Sequence, residues 1–447
     1  MNQESIGDLD DSTHRERALS VLHRNVAPAG FVASSALPHY STVWARDMAF
    51  SAMGANVSGD TELLSAVGRS LITLAEHQAP AGQIPNDYWP GRGYWDFHES
   101  GSTDATCLFI VAAGDHLALH SGGKLQQRLL APLRLAYSWL CCQDANQFTL
   151  LDLPLGGDWM DSTFQRGGKS LYLNVLWYRA LRQLAVVDTE REDQYNQHAS
   201  LLAEKMNYFL WPGGEEPYAR MLSGISYPAG SEVEYPHPVG PSAWRDAARK
   251  DRWYYISHVL GQRFVDECDV LGNVLAVLYG VADPARARLI MEQLYTEMQR
   301  YPYPCPTYTR SFSPTDNPWG MLSVQTEQFQ GERWRNPADC YHNGGIWPFI
   351  GGLYVAALSF VQMQEEARLE LLRLRAANDQ GEGVVTPEGE ATLGFNEWLH
   401  GRTGAPGGAA DQAWSAGTYL LAESSVTQTT AALECHCHSE PVRVGTV

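Results

Sequence analysis

Residues Gly344–Leu358 read GGIWPFIGGLYVAAL, and the segment that follows, Glu365–Ala377, reads EEARLELLRLRAA. The first is apolar or small on every side, so a helix made of it must be buried all round. The second has one charged face and one apolar stripe, the pattern of a helix lying on a surface. A buried helix followed by a surface helix is one hairpin of a two-layered helical fold.

The same pairing recurs along the chain. Further all-round apolar segments are MAFSAMGA, DATCLFIVAAGDHL, YLNVLWYRALRQL, GNVLAVLYGV and QAWSAGTYLLA; with Gly344–Leu358 they predict six inner helices beginning near 44, 103, 171, 271, 345 and 412. Between them lie the amphipathic segments Asp60–Gln78, Lys124–Cys141, Glu192–Leu210, Pro284–Gln299 and Glu365–Ala377. In the first of these Asp60 is the expected N-cap, and apolar residues at 63, 64, 67, 71, 72 and 74 keep the helical period. The alternation predicts an all-α (α/α)6 barrel, a toroid of six helical hairpins. Loops before the inner helices then open on one end, where a site would lie. Two long stretches, 212–263 and 301–343, carry a heavy aromatic load (Tyr227, Tyr235, Trp244, Trp253, Tyr254, Tyr255; Tyr308, Phe312, Trp319, Trp334) and are expected to lie over that end. Residues 16–430 are read as the catalytic domain, 1–15 as a disordered lead and 431–447 as a flexible tail.

Composition narrows the chemistry. A net charge of −19 over 447 residues argues against nucleic acid, whose phosphates need a basic face. The acidic, polar start lacks the pattern of a secretory signal, and no apolar run is long enough to span a bilayer. The eight cysteines show no regular spacing. A reduced, cytoplasmic protein that does not bind membranes is the expectation. Cys435-His436-Cys437-His438 cannot close a tetrahedral site alone, and no metal or cofactor is expected. P-loop, Rossmann, G-x-S-x-G and H-E-x-x-H patterns are absent.

What remains is carboxylate chemistry. Gly156-Gly157-Asp158-Trp159-Met160-Asp161-Ser162 and Gly394-Phe395-Asn396-Glu397-Trp398 each set acids beside an indole. Cleaving a glycosidic bond needs one acid to protonate the leaving oxygen and another to activate water. Aromatic surroundings raise the pKa of one carboxyl by desolvation and stack on the apolar face of a sugar ring. Two aspartates three apart compete for the acid's role. Asp161 is preferred, with Asp158 a supporting or substrate-contacting group and Arg166 or Lys169 orienting either; Glu397 is the expected base. The polar loops add Trp44, Arg46, Asp47, Gln83, Asp87, Trp95, Asp104, Trp159, His342, Asn343, Trp347, Trp398 and Gln412 as expected contacts to a small carbohydrate. The plainer readings are an Arg46–Asp47 helix cap, an N-cap at Asp104 and a core-satisfied His342.

In order, VWARDMAF, GQIPND, STDAT, GDWMDS with LYLNVLWYRAL, YHNGGIWP and FNEW…QAWSAG span about 44–425. This series resembles the six-hairpin glycosidases, above all the bacterial amylo-α-1,6-glucosidase (glycogen-debranching) type and the neutral-invertase-like group. The resemblance implies Asp161 as general acid, Glu397 as general base, and Arg46 with Asp47 holding the glucosyl unit. It also implies inversion at the anomeric carbon. The glycogen-debranching type carries an N-terminal domain before this series, and only about forty residues precede it here; a short oligosaccharide or glucoside is the expected substrate. Sucrose cleavage is the alternative on the same fold. A sugar epimerase or isomerase, resting on His98, His342 and His400, is the alternative from another class, and a binding protein without turnover is a third.

Overall fold

The computed structural model of the chain describes residues 11–98, 101–120, 123–161, 166–213, 251–261, 263–313, 337–386 and 389–427. Twelve helices alternate between an inner and an outer layer among them. The inner ones are α2 (Ala45–Ser58), α4 (Thr103–Leu119), α6 (Leu171–Val187), α8 (Val270–Leu278), α10 (Pro348–Phe360) and α12 (Ala413–Thr427). Each packs on the next, and α12 packs back on α2, so the ring closes. The outer helices are α1 (Asp11–Arg24), α3 (Thr61–Glu76), α5 (Gly123–Cys141), α7 (Glu192–Phe209), α9 (Pro284–Met298) and α11 (Gln364–Asn378). This is the (α/α)6 toroid expected from the alternation.

Local chemistry accounts for the helix ends and the layers. Asp60 caps α3 by accepting from the amides of Glu62 and Leu63, and Asp283 caps α9 ahead of Pro284. The inner helices bury nearly every residue, as in α10 from Pro348 to Ser359, so their stability comes from the ring around them. Where α2 crosses α12, a Cβ on Gly54 would stand 2.2 Å from the carbonyl oxygen of Gly417. Only glycine lets the two backbones approach so closely.

Residues 11–15, expected to be disordered, belong to α1, the sixth outer helix. Among its described side chains, Ala18, Val21 and Leu22 are the buried ones. Its charges pair across the chain instead: Arg15 with Glu423 at 2.8 Å, and Arg17 and His14 with Asp379 at 2.7 and 3.0 Å. Residues 1–10, the 431–447 tail with its Cys-His pair, and Tyr227, Tyr235, Trp244, Trp319 and Trp334 lie outside the described residues.

Small sheets decorate the ends of the inner helices. β1 (Val43–Trp44), β2 (Asp87–Trp89) and β3 (Tyr94–Asp96) form an antiparallel sheet in which Trp44 faces Asp87 and Asp87 faces Asp96. β4 (Lys169–Ser170), β5 (His258–Leu260) and β6 (Arg263–Val265) form a second. β7 (Trp398–Leu399) pairs with β8 (Pro406–Gly407). No helix among the described residues is long and apolar enough to cross a membrane.

Candidate active site

The loop carrying Asp161 is held by a buried ion-pair cluster. Asp158 accepts the Met160 amide on one oxygen and the Arg166 guanidinium on the other. Arg166 also pairs with Asp269 at 2.7 Å, and its guanidinium lies over the Tyr172 ring. Asp158, Arg166 and Asp269 are wholly enclosed. Desolvating three charges is tolerable only because each is paired and hydrogen-bonded. Asp158 is therefore a clamp on its own loop, with no surface left for a sugar. Of its expected roles, the supporting one fits. Arg166 orients it, while Lys169 braces a separate turn through the Leu150 carbonyl and Asp152.

So held, Asp161 meets Arg46 from the first turn of α2, Nη1 to Oδ2 at 3.0 Å. Arg46 spends its other nitrogens on Asp104 (2.7 Å) and the Ser102 hydroxyl (3.1 Å), and Tyr172 donates to the same Asp104 oxygen at 3.1 Å. The capping readings of these residues give way: Trp44 and Ser102 are the N-caps of α2 and α4, and Arg46 pairs away from Asp47. Burial pushes the Asp161 carboxyl above its ordinary range, with Arg46 and His98 opposing and Asp104 adding to the rise. A carboxyl that holds its proton is what a general acid requires.

Glu397 is built differently. Its backbone amide bonds the Ala409 carbonyl at 2.7 Å, and its Oε2 accepts the Ala409 amide at 3.1 Å. Its Oε1 accepts the Tyr40 hydroxyl at 3.0 Å. Burial, reinforced by the charge of Glu397, pushes the Tyr40 phenol well up, so it stays a donor. Gly408, at φ +68°, lets the carboxylate lie against the chain: a Cβ there would stand 2.2 Å from Oε2. The Ala409 amide and the Tyr40 hydroxyl thus hold the two carboxylate oxygens in place.

Asp47 feels the charge of both acids. Burial pushes its carboxyl up to about 8, with Glu397 and Asp161 both adding to the rise and Arg46 opposing it. Asp87 is likewise raised to about 6, chiefly by burial; Asp96 and Asp161 add to this, while the Trp89 indole and Arg46 oppose it. The indoles beside the acids are joined as well. Trp159 meets His342 at 5.0 Å between centroids, His342 stacks on Tyr341 at 4.1 Å, and Tyr341 meets Trp398 at 5.9 Å. Trp347 lies 5.2 Å from both His342 and Tyr341, so the three rings cluster, and Phe349 and Trp414 extend the wall.

Most of the expected residues thus converge: Trp44, Arg46, Asp47, Asp87, Asp104, Asp161 and Glu397 on the polar side, Trp159, His342, Trp347 and Trp398 on the aromatic side. Gln412 is buried at the entry to α12, and its side-chain amide has no hydrogen-bond partner among the described residues. Others are placed elsewhere. Asn343 gives both ends of its amide to the Phe312 backbone, and Gln83 donates to the Gly101 carbonyl. Trp95 lies on the face of β3 opposite Asp96, its ring 4.7 Å from His77. His400 accepts the Arg402 and Thr403 amides in a turn. Sequence reasoning missed Tyr40: a lone tyrosine in ALPHYST carries no pattern, and only its nearness to VWARD singles it out.

An (α/α)6 toroid whose loops hold two acids, one burdened by burial and one supplied with donors, each within two residues of an indole, is the kind of frame that glycoside hydrolases use. The amylo-alpha-1,6-glucosidase family model matches residues 17–421, and the chain belongs to that family. No curated protein sequence matches it. Among solved structures, the GH63 mannosylglycerate hydrolase from Thermus thermophilus, in complex with Tris and D-glycerate, is similar in fold. Its TM-score is 0.60 at 16% identity, over 91% of this chain and 99% of that one. The same enzyme in complex with glucose gives 0.59 at 15% identity, over 91% and 99%. A glutamate-to-alanine variant of a glycosidase, also in complex with glucose, gives 0.56 at 13%, over 94% and 99%.

Proposed function

We propose that the protein releases glucose from short α-glucosidic oligosaccharides or glucosides, α-1,6 or related, with inversion at the anomeric carbon. Asp161 protonates the glycosidic oxygen as the C–O bond breaks. Glu397 takes a proton from the water that attacks the opposite face, so the proton lost from Asp161 is balanced by the one gained at Glu397. Arg46, which pairs with Asp161 at 3.0 Å, and Asp47 next to it would hold the hydroxyls of the departing glucosyl unit. The reading is supported by the Arg46–Asp161 pair at 3.0 Å next in sequence to Asp47, and by the buried Asp47 carboxyl, whose rise Glu397 and Asp161 both add to.

The test is a proton NMR time course with isomaltose, panose, maltose and sucrose, and with mannosylglycerate because a protein of similar fold is named for hydrolysing it. Early β-glucose from an α-linked glucoside supports the reading. Early α-glucose overturns inversion, fructose released from sucrose alone moves the activity to an invertase, and mannose from mannosylglycerate alone overturns the glucosyl specificity.

A further inference from the structure

The sheet β1–β2–β3 has two faces that the sequence could not tell apart. Side chains alternate along a strand, and residues paired across strands share a face. The pairs Trp44–Asp87, Asp87–Asp96 and Trp89–Tyr94 put Trp44, Asp87, Trp89, Tyr94 and Asp96 on one face. Val43, Tyr88 and Trp95 take the other, where His77 packs on Tyr88 at 4.3 Å and on Trp95 at 4.7 Å. The first face is the one turned to the site: Asp87 on it is buried and pairs across the strands with Trp44, two residues before Arg46, and the charges of Asp161 and Arg46 act on its carboxyl.

On that face the indole N–H of Trp89 donates to Asp87, which fixes the ring beside a group of the site. Arg92 lies over the same ring, its charge 4.9 Å from the centroid. Tyr94, the cross-strand partner of Trp89, is 52% exposed. Two residues along a strand advance about 6.8 Å, the scale of one sugar ring. Trp89 and Tyr94 thus make an aromatic surface one ring's length beyond Asp87 on the same face of the sheet, with Tyr94 open to solvent. Rigid rings with an apolar face and a polar edge suit a pyranose, which has an apolar face and a hydroxyl rim.

We infer that Trp89 and Tyr94 form an aglycone subsite that receives the second sugar ring of a short oligosaccharide. This rests on the glucosidase reading above and adds to it where the leaving group sits.

The experiment compares kcat/KM for maltose or isomaltose, whichever is cleaved faster, with kcat/KM for α-glucosyl fluoride, whose leaving group has no ring. The ratio of the two is expected to fall about tenfold or more in Trp89→Ala and in Tyr94→Ala, equivalent to roughly 1.4 kcal/mol. Trp89→Phe, which keeps a ring and loses the N–H, is expected to retain most of the ratio, and Trp95→Ala on the opposite face to keep all of it. An unchanged ratio in both alanine variants overturns the subsite. So does an equal fall in Trp89→Phe and Trp89→Ala, which would make the bond to Asp87 the operative contact. If the wild type cleaves neither the fluoride nor any α-linked disaccharide, it is the glucosidase reading that has failed. The subsite is then judged by calorimetry with maltose and glucose: a preference for maltose that Trp89→Ala abolishes supports it, and no such preference overturns it.

Discussion

Tyr40 donates its hydroxyl to Glu397 across a sequence separation of 357 residues, at 3.0 Å. The bond joins the short turn before β1 to the loop before α12, and so ties the base to the first hairpin of the ring. Tyr40→Phe removes a donor from the charged carboxylate and leaves the ring in place. A base that loses a donor becomes harder to ionise. kcat is expected to fall about 10- to 100-fold, and the acidic limb of the pH–kcat/KM profile to move to higher pH. A profile with its acidic limb unmoved would show that Tyr40 does not tune Glu397.

Asp161→Asn and Glu397→Gln are each expected to lower turnover of a disaccharide by about 10²–10⁴-fold with the fold intact by circular dichroism. The two should part company on α-glucosyl fluoride, where fluoride leaves without a proton. Asp161→Asn should regain a large share of its rate there and Glu397→Gln should not. The reverse pattern would exchange the two roles.

Asp47 gives a stability signature. Its folded value of about 8 lies above the ordinary 3.8, so between those values the folded chain holds a proton that the unfolded chain has released. Its contribution is therefore lost as pH rises through that window, by at most about 1.4 kcal/mol per pH unit. Asp47→Asn cannot ionise. The drop in Tm from pH 5 to pH 8 should be smaller in this variant than in the wild type, as differential scanning calorimetry would show. An identical drop would mean that Asp47 does not titrate in that window.

Gly408→Ala tests the backbone beneath the base. A side chain at φ +68° costs roughly 1–2 kcal/mol, and the added Cβ would collide with Glu397 Oε2. Both Tm and kcat should fall. Gly91→Ala, in the β2–β3 turn with open space around its Cβ position, provides the comparison and should leave Tm within a degree or so.

The inner helices were legible because a segment such as Pro348–Ser359 offers no polar face, which allows only burial. The two carboxyl loops were legible because an acid next to a tryptophan is a poor surface residue. α1 was not, since DSTHRERALSVLHR shows a polar sequence whose charges find partners only in the folded ring, at Asp379 and Glu423. Asp158 and Asn343 looked like contacts to a ligand because residue type alone cannot tell a carboxylate or amide turned to a sugar from one spent on its own loop. Trp95 and Trp89 differ in face by strand register, which composition does not encode.

The closure of α12 onto α2 and α10 has a consequence for how the molecule is made. Five inner helices can assemble as they are synthesised, each on its predecessor. The apolar flanks of α2 and α10 must wait for α12, which is made after the other five inner helices, and the loop bearing Glu397 comes just ahead of it. Until α12 arrives the arc is an open crescent with two sticky edges, prone to pairing with another nascent chain. Shutting it joins segments more than 350 residues apart, the kind of long-range contact that forms slowly. The base and its tyrosine partner meet only in that final act, so the chain acquires its chemistry at the same moment as its topology.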